Sequence, residues 1–167
     1  VFYGHVTNVI GNGVALNVPL LIQELEHLVQ QGVPKPHLLV SDRAQMVMPY
    51  HVLLDTYEEE RLGGRSFGST KSGIASFYSD KFAKIGFQVS ELFDEQLLRE
   101  KVQQVCEVKN VLLQHLYHRE PIDPQALLET LKGYRNLVEP YVGNVSAFLD
   151  RALRDGKEIL LEGQLGT

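Results

Sequence analysis

One pattern near the start of the chain constrains its fold more than any other: two short apolar runs separated by a single amphipathic stretch. Val6-Thr7-Asn8-Val9-Ile10 is rich in β-branched residues and stops at Gly11-Asn12-Gly13, which reads as a strand followed by a tight turn. Asn17 then precedes Pro19, and Leu20, Leu21, Leu25, Leu28 and Val29 recur at helical spacing until Gly32, so the spacing predicts a capped helix. Val33-Pro34-Lys35-Pro36 forces an extended connection, and His37-Leu38-Leu39-Val40 reads as a second buried strand running into Ser41-Asp42-Arg43. A strand, a covering helix and a returning strand make a parallel βαβ unit, because a short hairpin cannot join parallel neighbours. The fold class expected is therefore α/β, with part of a mostly parallel sheet, flanking helices and an inserted helical subdomain.

The remainder divides by texture. Residues 1–62 form the βαβ part of a central α/β domain, ending in a helix from Pro49 to Leu62 marked by Tyr50, Leu53, Leu54, Tyr57 and Arg61 and closed by Gly63-Gly64. Residues 63–90 are different in kind: from Gly63 to Gly86 there are five glycines and six serines or threonines, with no sustained helical or strand period. Long irregular stretches in compact domains are where sites concentrate. Residues 91–156 read as a helical subdomain, with one long helix capped by Asp94 and reaching Leu116, a second capped by Asp123-Pro124, and a third from about Asn144 to Leu153. Residues 157–167 then read as a return strand, Glu158-Ile159-Leu160-Leu161, running into an active-site loop cut short at Thr167. The chain is expected to be a piece of a larger protein.

Composition narrows the classes of function. With 16 Lys plus Arg against 21 Asp plus Glu, the formal charge of −5 argues against broad binding to nucleic acid or anionic lipid. No run approaches the roughly 20 apolar residues that span a bilayer, and no basic-then-apolar leader opens the chain. The single Cys106 allows no internal disulfide and sits among Val102, Val105 and Val108, where core packing is its expected role. A reducing compartment, the cytoplasm, fits this usage.

Candidate chemistry gathers in the irregular stretch. Gly68-Ser69-Thr70-Lys71-Ser72-Gly73 offers backbone N–H groups, hydroxyls and an ammonium suited to a phosphate, although it lacks the Walker A order and on chemistry alone equally describes a solvated loop. If residues 78–84 form a helical turn, Lys81 and Lys84 share a face and could hold an anion; the plainer reading is a surface turn with an Asp80–Lys84 ion pair. His115 and His118 lie three apart on the long helix without an evident carboxylate partner, so no metal site is expected in this chain.

Taken in order, these segments resemble the adenylosuccinate synthetase family. The resemblance rests on Val9-Ile10-Gly11-Asn12-Gly13-Val14, Ser41-Asp42-Arg43-Ala44 with Pro49-Tyr50-His51, and Gly68-Ser69-Thr70. It continues through Gly73-Ile74-Ala75-Ser76-Phe77-Tyr78-Ser79-Asp80-Lys81, Leu92-Phe93-Asp94 and Glu162-Gly163-Gln164-Leu165-Gly166-Thr167, and so covers essentially the whole chain. The resemblance implies a GTP- and Mg2+-dependent ligase that joins L-aspartate to inosine monophosphate (IMP), phosphorylating the 6-oxygen of the base before the amine displaces it. It implies that Thr70 holds the IMP phosphate beside a possible phosphate loop at Gly68 and Ser69, that Lys81 is catalytic, and that Lys84 reaches the same nucleotide across a homodimer interface. Gln164 and Leu165 stand at the family's base-contacting position. Neither nucleic acid nor membrane is an implied partner.

The departures are specific. The family's Gly-Thr-Thr-Gly-Arg-Gly-Ile-Gly-Pro is altered here at Ser69, Lys71, Ser72, Ala75 and Ser76; Lys84 replaces an arginine and loses bidentate phosphate geometry; and Leu165 falls where a glutamine is usual, with Gln164 next to it. The glycine-rich GTP loop, the catalytic aspartate and histidine and the guanine-recognising segment of the family have no counterpart in these 167 residues. The isolated piece is therefore expected to be inactive. The alternative is a non-catalytic homologue acting as a nucleotide-binding or structural interaction module.

Overall fold

The computed structural model describes residues 3–65 and 68–163. Strand β1 (Thr7–Ile10) leads through a two-residue strand β2 (Ala15–Leu16) into helix α1 (Val18–Gln30), and β3 (His37–Ser41) returns parallel to β1, with Thr7 opposite His37 and Ile10 opposite Val40. The βαβ unit expected from the pattern is present. Asn17 caps α1 as its side chain accepts the Leu20 N–H at 3.2 Å, and Gly32, at φ 81°, turns the chain away after its last turn.

Two small sheets result. In the first, β3 is central, flanked by β1 and by β6 (Val142–Gly143), all parallel. In the second, β4 (Gln45–Met46) pairs parallel with β2 and antiparallel with β5 (Phe87–Gln88). Between β4 and β5 the chain forms α2 (Pro49–Leu62) and α3 (Ile74–Phe82). After β5 come α4 (Glu95–Val111), α5 (Pro124–Val138) and, beyond β6, α6 (Val145–Arg154), each opened by a side-chain cap: Asp94 to Leu97 N–H, Asp123 to Gln125 N–H, and Asn144 to Ala147 N–H. One hydrophobic cluster runs through strands and helices alike, from Leu16, Val40 and Met46 through Leu98, Val102 and Val105 to Leu128, Leu131 and Val138.

Four local expectations differ from the structure. The stretch read as irregular, with at most a helical turn over 78–84, contains α3, hidden because its inward positions are Gly73, Phe77 and Asp80, so the buried face has no apolar stripe. The long helix leaves regular α geometry after Val111 and widens into a π turn over Leu112–Leu116, with Tyr117 N–H bonded to Leu112 O; His118, at φ 53°, lies outside the helix that was to carry it with His115. On the faces, Val108 is 52% exposed rather than packed beside Cys106, and Leu53 points outward while Asp55 takes the inner position. Residues 158–161 form no strand: Leu160 and Leu161 are almost fully exposed, because an apolar run becomes a strand only where a neighbouring edge takes its hydrogen bonds.

Candidate functional site

Helix α2 is the base on which the site is built. Its inward face shows Tyr50, His51, Leu54 and Asp55, all buried, so an imidazole and a carboxylate stand where an amphipathic helix would normally place hydrocarbon. They remain there because each is paired.

His51 is fixed at both ring nitrogens. Nδ1 accepts the Met48 N–H at 2.9 Å, which closes the first turn of α2, and this places the ring proton on Nε2, donated to Asp80 Oδ2 on α3 at 3.0 Å. The other Asp80 oxygen accepts from the Lys109 ammonium on α4. Asp80 is 1% exposed and Lys109 6%, so this cluster ties α2, α3 and α4 together inside the protein. Burial lowers the pKa of His51, and this outweighs the opposing pull of the Asp80 carboxylate, so the ring is held neutral. For Asp80, burial pushes upward, but the bonds from His51 and Lys109 prevail and hold the carboxyl below its usual range. The cluster therefore carries one negative and one positive charge, balanced. Lys109 also lies 5.7 Å from the centre of the Tyr50 ring, and burial, reinforced by Asp80, pushes the Tyr50 phenol well above its usual pKa.

Asp55, one turn further along α2, faces the glycine-rich loop. Its Oδ2 accepts both from Ser69 Oγ and from the Gly73 N–H, each at 3.0 Å. Gly73 sits at φ 80° directly on the α2 backbone: a Cβ there would lie 2.8 Å from the Val52 nitrogen and 2.9 Å from the His51 carbonyl carbon, so no other residue fits without moving one helix. Between these anchors the loop projects outward. Thr70 Oγ1 and Ser72 Oγ, both on exposed residues, are 2.8 Å apart, and Lys71 takes the left-handed conformation at φ 54° with its N–H donated to Ser69 Oγ at 3.1 Å. Exposed hydroxyls, a lysine and the opening turn of a nine-residue helix form a surface suited to a phosphate-type anion.

The structure brings Gly68, Ser69 and Thr70 together with Ser72 at the N-terminal end of α3. Gly68 N–H is donated to Glu59 Oε2 at 3.2 Å. Lys81 and Lys84 stand at the other end. Lys81 is half-buried in the last turn, its ammonium 5.5 Å from the centre of the Tyr78 ring, while Lys84 lies beyond the helix at φ 62°, exposed. The expected shared helical face of Lys81 and Lys84 is therefore absent, and so is the Asp80–Lys84 pair, because Asp80 turns inward to His51 and Lys109. About 12 Å of helix rise separates the two ends of α3. Gln164 and Leu165 lie outside the described residues. Among the described residues no three His, Cys, Asp or Glu side chains converge into a metal-binding group, and no helix is long and apolar enough to cross a membrane.

Sequence reasoning missed Asp55 and the His51–Asp80–Lys109 cluster. The signal for Lys109 was there: it follows Val105 and Cys106 by four and three residues and precedes Leu113 by four, which puts a lysine on the buried stripe of α4. No comparable signal marks Asp55.

Comparison with known proteins places the whole chain, residues 1–167, within the family model described as adenylosuccinate synthetase. The adenylosuccinate synthetase of Heliobacterium modesticaldum is 38% identical over 100% of the chain and 39% of its own length. That of Corynebacterium ammoniagenes is 40% identical over 95% of the chain and 37% of its own length. Among solved structures, a fully ligated adenylosuccinate synthetase from Plasmodium falciparum superposes with a TM-score of 0.74 at 23% identity, over 93% of this chain and 36% of that one, which is a likeness of fold. The chain thus spans less than two-fifths of the length of the relatives it matches.

Proposed function

This chain belongs to the adenylosuccinate synthetase family, and we propose that it forms part of a cytoplasmic enzyme that ligates IMP and L-aspartate to adenylosuccinate at the expense of GTP, in AMP synthesis. In that reaction the γ-phosphoryl group of GTP passes to the 6-oxygen of IMP; the aspartate amine then attacks C6, the C–N bond forms as the C–O bond breaks, and inorganic phosphate leaves. Mg2+, when bound in the whole protein, would supply charge neutralisation on the transferred phosphoryl group.

The part assigned to this chain is nucleotide placement. Thr70 and Ser72 donate hydroxyl hydrogens to the IMP phosphate at the head of α3, with Gly68 and Ser69 shaping the loop and Lys71 adding positive charge. Lys84 serves the same phosphate on the partner subunit of a homodimer, as a point charge rather than the bidentate fork of an arginine. Lys81 is the catalytic candidate. Gln164, beside Leu165, contacts the base. The exposed run at residues 158–161 takes its place as a sheet strand in the whole protein, and residues 91–156 act as a largely helical unit that also lends β6 to the sheet. The observation that supports this reading best is the outward-facing Thr70–Ser72 hydroxyl pair, held on a fixed loop at a helix start.

The test is adenylosuccinate formation by the full-length gene product containing this chain, with IMP, aspartate, GTP and Mg2+. Turnover is expected, and Thr70→Ala should raise KM for IMP about tenfold or more while changing kcat little, because the phosphate is remote from the reacting carbon. The isolated 167-residue chain should give no product. A Thr70→Ala enzyme with normal KM for IMP would remove Thr70 from the site. The second reading, a non-catalytic nucleotide-binding homologue, is favoured by Lys84 and Leu165 standing at altered family positions; it predicts IMP binding by the full-length protein without turnover.

A further inference from the structure

The loop that presents Thr70 is closed by a single atom. Asp55 Oδ2 receives Ser69 Oγ–H at the start of the loop and Gly73 N–H at its end, both at 3.0 Å, and Asp55 itself is only 7% exposed. Ser69 passes the constraint on, since the same oxygen that donates to Asp55 accepts the Lys71 N–H. This second bond supports Lys71 in a left-handed conformation that residues bearing a Cβ adopt rarely. With both ends tied inward to α2, residues 70–72 must bulge outward, and the Thr70 and Ser72 hydroxyls, which among the described residues bond only to each other, face solvent. The platform beneath is rigid for an independent reason: α3 is fixed to α2 and α4 through Asp80, and Gly73 rests on the α2 backbone too closely to slide.

We propose that Asp55 is a positioning residue for the phosphate-holding loop, acting through Ser69 and Gly73 to keep the Thr70 and Ser72 hydroxyls presented to an incoming phosphate monoester; this rests on the IMP-phosphate reading above. Asp55 touches no substrate. Its role is to fix before binding a loop that would otherwise have to be ordered by the nucleotide, which would weaken nucleotide affinity.

The experiment compares Asp55→Ala and Asp55→Asn in the full-length protein by two measurements: amide hydrogen exchange of residues 69–73 without nucleotide, and steady-state kinetics with IMP and GTP varied separately. For Asp55→Ala the Lys71 and Gly73 amides should exchange at least about tenfold faster while those of α2 keep their protection. KM for IMP should rise about tenfold, with KM for GTP and kcat within about twofold. Asp55→Asn retains an oxygen that can accept both bonds and should restore both readings to within about threefold of the parent. If Asp55→Ala does not fold, Ser69→Ala removes one arm of the clasp at a half-buried loop position and should speed exchange at Lys71 and raise KM for IMP in the same direction, while Gly73, still bonded to Asp55, keeps its protection. Unchanged exchange together with unchanged KM for IMP overturns the proposal, as does an Asp55→Asn protein as impaired as Asp55→Ala. Faster exchange in a protein whose parent neither binds nor turns over IMP supports the clasp and overturns the substrate reading instead.

Discussion

Helix α4 is held along its one buried face by two opposite means. Toward α5 it presents Leu98, Val102, Val105 and Cys106 to Leu127, Leu128 and Leu131, an apolar seam whose members are each at most 5% exposed. Toward α2 and α3 it presents Lys109, whose only ionic partner among the described residues is the buried Asp80 that His51 also engages. The apolar seam is non-directional and tolerates small shifts, since dispersion and hydrophobic burial depend on area and fit. The polar seam is not tolerant: each group is satisfied only at one relative placement of three helices, and displacement strands a charge. The seam that demands exact placement lies beside the candidate site, and the permissive one lies away from it.

The contrast can be broken most sharply at Asp80. Asp80→Asn leaves the Lys109 ammonium buried without a counter-charge and should cost about 3–5 kcal/mol in chemical denaturation of the full-length protein; a loss under 1 kcal/mol would mean that Lys109 escapes to solvent. Leu131→Ala in the apolar seam should cost about 2–4 kcal/mol, graded by how far the site collapses. Combining Asp80→Asn with Lys109→Met removes both charges while leaving an acceptor for His51, and should recover at least half of the Asp80→Asn loss. An additive or larger loss would show that the pairing of the two charges is not what makes the seam demanding.

Acid offers a gentler probe. The folded pKa of His51 is depressed, so between that value and the ordinary 6.5 the unfolded chain binds a proton that the folded one refuses. Stability from this group is therefore complete above about pH 6.5 and falls below it, by at most about 1.4 kcal/mol per pH unit. Asp80, also depressed, contributes above its ordinary 3.8 and is lost as the pH drops further through its folded value. Denaturation midpoints measured from pH 7.5 to 5 should decline, and His51→Gln should flatten the decline above pH 5. Smallest of all, Lys132→Ala removes exposed pairs with Glu129 and Glu95 and should change stability by no more than about 0.5 kcal/mol, less in high salt.

The amino-acid sequence by itself determined the elements whose cause is local. Asn17, Asp94, Asp123 and Asn144 were readable as helix starts because a cap needs only its own side chain and an N–H two or three residues on. The βαβ unit was readable because period and punctuation agree over its first forty residues. The hydroxyl-rich loop was legible as a candidate site that includes Thr70, but not the fact that Lys81 and Lys84 stand a helix length away from it.

Only the tertiary structure decided the rest, for one physical reason. His51, Asp55, Asp80 and Lys109 are individually unremarkable polar residues, and each becomes an inward one only when a partner 14, 18 or 29 positions distant satisfies it. Without that partner the cost of desolvation would turn each outward. The same reason runs in reverse at Leu160 and Leu161, whose apolar side chains read as a strand but stay exposed where no edge pairs with them. Local capping and periodicity are written along the chain, whereas the pairing of buried charges belongs to the packed whole.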